Sequence, residues 1–172
     1  MTVSSNSPIQ TYWMSPTSNT LVDYWFDSYG WIAGYFAQLE GISYAIIQML
    51  SPETDRAQFY ELRFVARTKK AKRILLNYLD MSGQHTLIPD WAAFFDEVAA
   101  AGKMRNDILH NPLSVALHKG HLCIDENSGV LLVKKDGEPK ITLGEVQNYS
   151  QHLRSLNVRM AQLLNTTTIE SL

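Results

Sequence analysis

Residues 89–112 read PDWAAFFDEVAAAGKMRNDILHNP, and this stretch decides the fold because it predicts one helix with a defined end. Its apolar residues recur at helical spacing, which is typical of a helix packed in a helical core. Pro112 lacks a backbone N–H and disfavours helical geometry in the residue before it, so the helix should end at about His110 or Asn111. The apolar positions are Trp91, Phe94, Phe95, Val98, Ala101, Met104, Ile108 and Leu109.

Three further helices are predicted around this one. The first runs from about Leu21 to Leu50. The second begins at Ser51-Pro52-Glu53, where serine is a good N-cap and proline suits the first helical position, and continues to about Asp80. The last covers about Leu143 to Leu164.

The first helix carries two apolar stripes, one of which reads Trp31, Tyr35, Ile42, Ala45 and Met49. Two stripes indicate burial on two sides, the second against another helix of the chain or against a second subunit. Charged and amide side chains interrupt the apolar run of this helix, so a buried soluble helix is favoured over a membrane span.

Between the third helix and the last, the pattern changes to short alternating segments separated by turn residues. Four strands are expected, at 114–119, 121–125, 130–135 and 141–142. The predicted fold is therefore mainly α: a four-to-five-helix bundle with a small antiparallel β-meander, at about 114–142, inserted before the last helix. The 172 residues fit one domain, at 21–165, between a flexible segment at 1–20 and a flexible tail at 166–172.

Composition excludes several classes of protein. The formal net charge of −2 shows none of the basic excess of a protein that coats nucleic acid, so any RNA contact needs a local basic patch. The N-terminus has no basic segment followed by an apolar one, so no signal peptide is predicted. With one cysteine, the chain fits the cytoplasm, without a membrane partner. No spacing typical of a metal or cofactor site appears, so neither is expected.

The residues that suggest chemistry lie at the end of the third helix, from Lys103 to Pro112. Asn106 and His110 are four residues apart and share a helix face. Arg105 and His110 are separated by roughly 140° around the axis and about 7.5 Å along it, so they fit opposite borders of one groove formed with another helix.

The carboxyl end of a helix favours a charged imidazole, because unpaired carbonyls and the macrodipole stabilise the cation there. An imidazole that titrates near neutrality suits general acid–base catalysis. A guanidinium such as that of Arg105 suits a phosphate, and Asn106 would orient the imidazole or bind substrate. Together these groups are what metal-free RNA cleavage needs. Arginine and histidine are also ordinary capping residues at a helix end, which is the alternative reading.

The segment Arg105-Asn106-Asp107-Ile108-Leu109-His110 resembles the Arg-x4–6-His motif of the higher eukaryote and prokaryote nucleotide-binding (HEPN) superfamily, including the polar residue after the arginine. The order of helices is also similar, from about Leu21 to Leu164. The resemblance implies a metal-independent endoribonuclease in which Arg105 and His110 are catalytic and Asn106 supports them. Glu40 would face the cleft and position Arg105 or His110, or would be a solvated helix residue.

The resemblance also implies partners: RNA, a second copy joined through the first helix and the motif cleft, and a cognate antitoxin or regulatory protein. A role in bacterial defence or as a toxin would follow. Some toxin members have a tyrosine two residues after the histidine, where this chain has Pro112. Residues expected to contact RNA phosphates are Lys69, Lys70, Lys72, Arg73 and Lys103. For the basic cluster at 67–73, a solvated helix face is the alternative reading. The alternatives are a non-catalytic HEPN module that binds RNA, a nucleotide or a protein, and a helical dimer without a site.

Overall fold

The computed structural model describes residues 20–51, 58–59, 61–110, 116–118, 121–123, 130–132 and 139–169, with backbone alone for 20–23, 110, 116–118, 121–123, 130–132 and 139–140. This part of the chain is mainly helical. It contains four long helices: α1 (Thr20–Leu50), α2 (Phe64–Met81), α3 (Ile88–His110) and α4 (Leu143–Thr166). A short 3₁₀ turn, His85–Leu87, leads into α3.

The four helices form a closed bundle. α1 packs against α2 and α4, and α3 packs against the same two helices from the other side. The core between them is dominated by large side chains that are fully buried, so most of the hydrophobic stabilisation comes from helix-to-helix packing. Those side chains are Trp25, Ile32, Leu39, Ile46, Phe59, Leu75, Leu79, Trp91, Phe94, Phe95 and Ile108.

The predicted second helix is wrong in its continuity, while most of its predicted start, at 52–57, lies outside the described part. Residues 58–59 are helical, but a turn and a bend follow at 61–62, and the backbone at Arg63 is extended, with φ −61° and ψ 152°. α2 therefore begins at Phe64, after a break in the predicted helix. The Leu62 carbonyl accepts a hydrogen bond of 2.8 Å from Arg67 Nη1, which satisfies a backbone group near the break.

The ends of two helices have well-defined local causes. After α2, Gly83 adopts a left-handed conformation with φ +73°, and Gln84 N donates to the Leu79 carbonyl at 2.8 Å, which closes the helix with a glycine C-cap. At the start of α4, the Thr142 hydroxyl accepts from the Glu145 backbone N–H, and the Glu145 carboxylate accepts from the Thr142 backbone N–H. This reciprocal capping box fixes where α4 begins.

Between α3 and α4 lie four short strands: β1 (Ala116–His118), β2 (His121–Cys123), β3 (Val130–Leu132) and β4 (Pro139–Thr142). β1 pairs antiparallel with β2, and β3 pairs antiparallel with β4, as two separate pairs. A continuous meander needs β2 to pair with β3 as well, and residues 124–129 between them lie outside the described part, so the meander stays a prediction.

Helices of the same chain cover the second stripe of α1 only in part. Ile42 is buried, while Trp31 stacks on Tyr35 with ring centroids 5.5 Å apart and remains 59% exposed. Met49 is also exposed. The interface with a second subunit stays a prediction. None of the helices in the described residues combines the length and apolar character that a membrane crossing requires.

Nearly all of the predicted flexible segment at 1–20, and residues 170–172 of the predicted tail, lie outside the described residues. Within the predicted tail, Thr167 Oγ1 accepts a hydrogen bond of 2.9 Å from Trp91 Nε1. The side-chain amide of Gln84 pairs with the backbone of Thr168, donating at 2.8 Å and accepting at 2.9 Å. These contacts attach the chain after α4 to the turn between α2 and α3.

Candidate functional site

A pocket of about 250 Å³ lies where α1, the start of α2 and the second half of α3 meet. It combines charged, amide and aromatic side chains, a mixture that suits a polar ligand with a flat apolar part. Its lining residues are Phe36, Glu40, Arg63, Phe64, Val65, Arg105 and Asn106.

Close packing of two aromatic rings and a glycine brings the three helices together at this pocket. The rings of Phe36 and Phe64 lie 4.6 Å apart between centroids. Gly102 on α3 is buried against them, and a Cβ atom at this position would lie 2.8 Å from Phe64 Cε1. Only glycine therefore lets α3 approach the start of α2 so closely.

Glu40 reaches the pocket from α1 as one partner of an ion pair. Its Oε1 atom accepts a hydrogen bond from Arg67 Nη2 on α2. Arg67 is only 4% exposed, and its guanidinium also lies over the Tyr44 ring at 4.1 Å from the centroid. Burial lowers the pKa of Arg67, but a guanidinium stays charged in proteins. Arg67 therefore neutralises Glu40 and fixes it in the pocket wall.

Arg105 carries the second charged group of the pocket. Its Nη1 atom donates to Asn106 Oδ1 at 3.0 Å, and its guanidinium carbon lies 5.3 Å from the centroid of the Phe36 ring. Its Nε atom is buried and has no hydrogen-bond partner within the described residues. The guanidinium keeps further N–H donors beside the one that bonds Asn106, and such donors suit an anionic ligand.

Tyr149 of α4 steadies the turn of α3 that bears Arg105. Its buried hydroxyl donates to the Ala101 carbonyl at 2.7 Å. Burial raises the pKa of Tyr149, whereas a hydrogen bond from the Arg105 backbone and the charge of Arg105 lower it. The phenol therefore lies beside Arg105 and stays protonated over the physiological pH range, so it continues to donate this bond.

The predicted catalytic residues are partly brought together. Arg105, Asn106 and Glu40 line the same pocket, although they come from two helices far apart in the chain. Glu40 contacts Arg67, which the motif reasoning did not assign to the site. His110 is the last residue of α3, as the proline predicted, and its side chain lies outside the described part.

The basic residues predicted to contact RNA are spread over a different surface. Lys72 pairs with Asp96 at 2.7 Å, and Lys70 lies over the Phe59 ring at 3.9 Å. Lys69 and Arg73 are exposed on the side of α2 opposite the buried Ala71, and Lys103 is exposed on α3. These five described side chains do not line the pocket.

Two functional candidates were missed from the sequence. Arg63, exposed at the rim of the pocket, precedes α2, and Arg67 lies one turn into it. Both were read as part of one continuous helix. The available signal was an arginine among apolar residues, Phe64-Val65-Ala66-Arg67, since a charge on an apolar helix face requires a buried partner.

With Glu40 neutralised by Arg67, Arg63 and Arg105 leave the pocket with a surplus of positive charge. Two guanidinium groups and an amide provide forked donors for the oxygens of a phosphate. Phe36 and Phe64 add an apolar wall next to these donors. The arrangement therefore suits an anion attached to a flat ring.

Within the described residues, no cluster of three or more His, Cys, Asp or Glu side chains could hold a metal ion. Comparison of the chain with protein-family models, with curated proteins and with solved structures finds no match. What the pocket can do must therefore be inferred from its own residues.

Proposed function

We propose that this protein is a metal-independent endoribonuclease of the HEPN type, with its site in the pocket between α1, α2 and α3. One observation carries the proposal: Arg105 and Asn106, the first two residues of the motif, line a pocket that already contains Glu40 and a further guanidinium, that of Arg63. A motif present by chance would have no reason to face a charged pocket formed with other helices.

In the proposed reaction, His110 is the general base. Its imidazole takes the proton of an RNA 2′-hydroxyl, and the 2′ oxygen attacks the adjacent phosphorus. The bond from phosphorus to the 5′ oxygen breaks, and that oxygen leaves with a proton from the imidazolium. The products are a 2′,3′-cyclic phosphate and a 5′-hydroxyl. Arg105 and Arg63 stabilise the negative charge that accumulates on the phosphate oxygens.

The contacts of the Arg105 guanidinium support its role toward phosphate. Its position is fixed by Asn106 on one side and by the Phe36 ring on the other. A preorganised cation needs little reorganisation when negative charge develops in the transition state. Tyr149 acts as a positioning residue, since it holds the turn from which Arg105 extends.

The test is cleavage of single-stranded RNA by the purified full chain in the presence of a chelator. We expect cleavage without added metal, and a loss of at least about 100-fold in His110→Ala, because general acid–base catalysis contributes that much. The exposed His152 of α4 supplies the matched control, since His152→Ala should leave the rate unchanged. Equal rates in the two variants would contradict the assignment of His110.

RNA binding without cleavage would favour the alternative, a non-catalytic HEPN module. The same resemblance supports the remaining proposals: a homodimer, an antitoxin or regulatory partner, a defence role and a cytoplasmic location. Exposed Trp31 and Met49 on α1 give the homodimer some support, because large apolar side chains in solvent favour association.

A further inference from the structure

The pocket contains aromatic side chains to which the proposed cleavage chemistry gives no role. Phe36 is 3% exposed and forms the inner wall, whereas Phe64 is half-buried and lines the pocket beside it. Arg105 lies against Phe36, and Phe36 lies against Phe64, so an aromatic surface stands directly next to the phosphate-binding groups.

We propose that the accessible part of the Phe64 ring stacks with an unpaired nucleobase, so that the pocket binds one single-stranded nucleotide with its phosphate on Arg105 and Arg63. The inference rests on the proposed function and specifies its substrate. RNA would be bound with a base turned out of any helix, because a paired and stacked base has no free face for the ring.

The position of Phe64 suits this role. Gly102 and Phe36 pack against the ring, with the closest possible approach at Gly102. A ring that is held in place loses little conformational entropy when a base stacks on it. Arg63 directly precedes Phe64 and has an extended backbone, so consecutive residues provide a phosphate contact and a base contact.

Glu40 also favours a nucleotide over a bare phosphate. Phosphate oxygens use the guanidinium donors but offer nothing to a carboxylate in the same pocket. Glu40 Oε1 already accepts from Arg67, and a ribose hydroxyl or a base amino group would donate to the other carboxylate oxygen. The pocket, at about 250 Å³, has room for more than a phosphate group.

The test measures binding of a short RNA that carries one 2-aminopurine, in the His110→Ala background so that the RNA is not consumed. The single strand is compared with the same strand in a duplex. Stacking on Phe64 should quench the fluorescence of the single strand, and the duplex should bind at least about tenfold more weakly. Phe64→Leu should weaken single-strand binding by about 5- to 100-fold, and Phe64→Tyr should retain it.

The control variant is Tyr78→Leu, which removes a half-buried aromatic ring of α2 that does not line the pocket and should leave the dissociation constant unchanged. Tight binding of the single strand that is insensitive to Phe64→Leu, or unaccompanied by quenching, would overturn the stacking role while leaving the ribonuclease proposal intact. Failure of both single strand and duplex to bind would overturn the ribonuclease proposal itself. If Phe64→Leu does not fold, quenching in the parent protein and the single-strand preference still decide the question.

Discussion

At the scale of single residues, Arg67 is the most unusual side chain of the described part, because it is charged and almost fully buried. It contacts the Glu40 carboxylate, the Leu62 carbonyl and the Tyr44 ring. A buried ion pair costs desolvation, and its removal from one side leaves the other charge without a partner. Arg67 therefore bonds to the backbone just before α2 and also neutralises the Glu40 carboxylate of the pocket.

Arg67→Met should destabilise the fold by about 2–3 kcal/mol, since Glu40 would be left unpaired although about a third of its side chain reaches solvent. The matched control is Lys72→Met, which breaks the exposed pair with Asp96 and should cost less than about 1 kcal/mol. Urea denaturation of both variants gives the comparison. Equal losses in the free energy of unfolding would mean that the buried ion pair of Arg67 matters no more than the exposed pair of Lys72.

Sequence reasoning identified Arg105, Asn106 and Glu40, three residues that line the pocket, but not their charged neighbours. The motif selected the first two because of spacing alone, and Glu40 was selected as an isolated acid on an apolar helix. Arg63 was missed because its role depends on a break in the helix between Phe59 and Phe64 that no proline or glycine marks, and Arg67 because its apolar neighbours were not taken as a sign of a buried partner.

At the scale of helices, two glycines in helix interiors have opposite environments. Gly34 of α1 is exposed, and a Cβ atom there would meet nothing within 4 Å. Gly102 of α3 is buried against the Phe64 ring. Substitution by alanine at Gly34 therefore measures helix propensity alone. At Gly102 it also measures the cost of disturbing the close approach of α3 to α2.

Gly34→Ala should raise the free energy of unfolding by about 0.5–1 kcal/mol, because alanine is the better helix former. Gly102→Ala should instead lower the free energy of unfolding by about 1 kcal/mol, since the cost of the clash with Phe64 exceeds the gain in helix propensity. The displaced Phe64 ring should also reduce RNA binding. Thermal or urea unfolding of both variants provides the test, and stabilisation by both would show that the contact between α3 and Phe64 is loose.

Three of the four long helices could be predicted to within a few residues, because strong apolar periodicity and Pro112 defined them. The break in the second helix could not be predicted, since Ser51-Pro52-Glu53 is a favourable N-terminal signal and no proline or glycine lies between Phe59 and Phe64. Short strands at about 114–142 were expected, but pairing between strands depends on contacts that alternation alone does not specify.

At the scale of the whole molecule, the charge distribution matters more than the net charge of −2. The exposed Lys69 and Arg73 lie on another side of α2, while Arg63 and Arg105 place positive charge at the pocket. Local guanidinium groups can attract a phosphate even on a chain without basic excess. RNA binding should therefore depend on the pocket more than on the lysine-rich face.

The most direct test of the ribonuclease account compares two arginine variants in single-turnover cleavage of a single-stranded RNA, with chelator present. Arg105→Gln removes the cation of the pocket, and Arg154→Gln removes an exposed cation of α4 outside it. The account predicts a loss of at least about 100-fold for Arg105→Gln and a change within about twofold for Arg154→Gln. Cleavage at the same rate by both folded variants would contradict it.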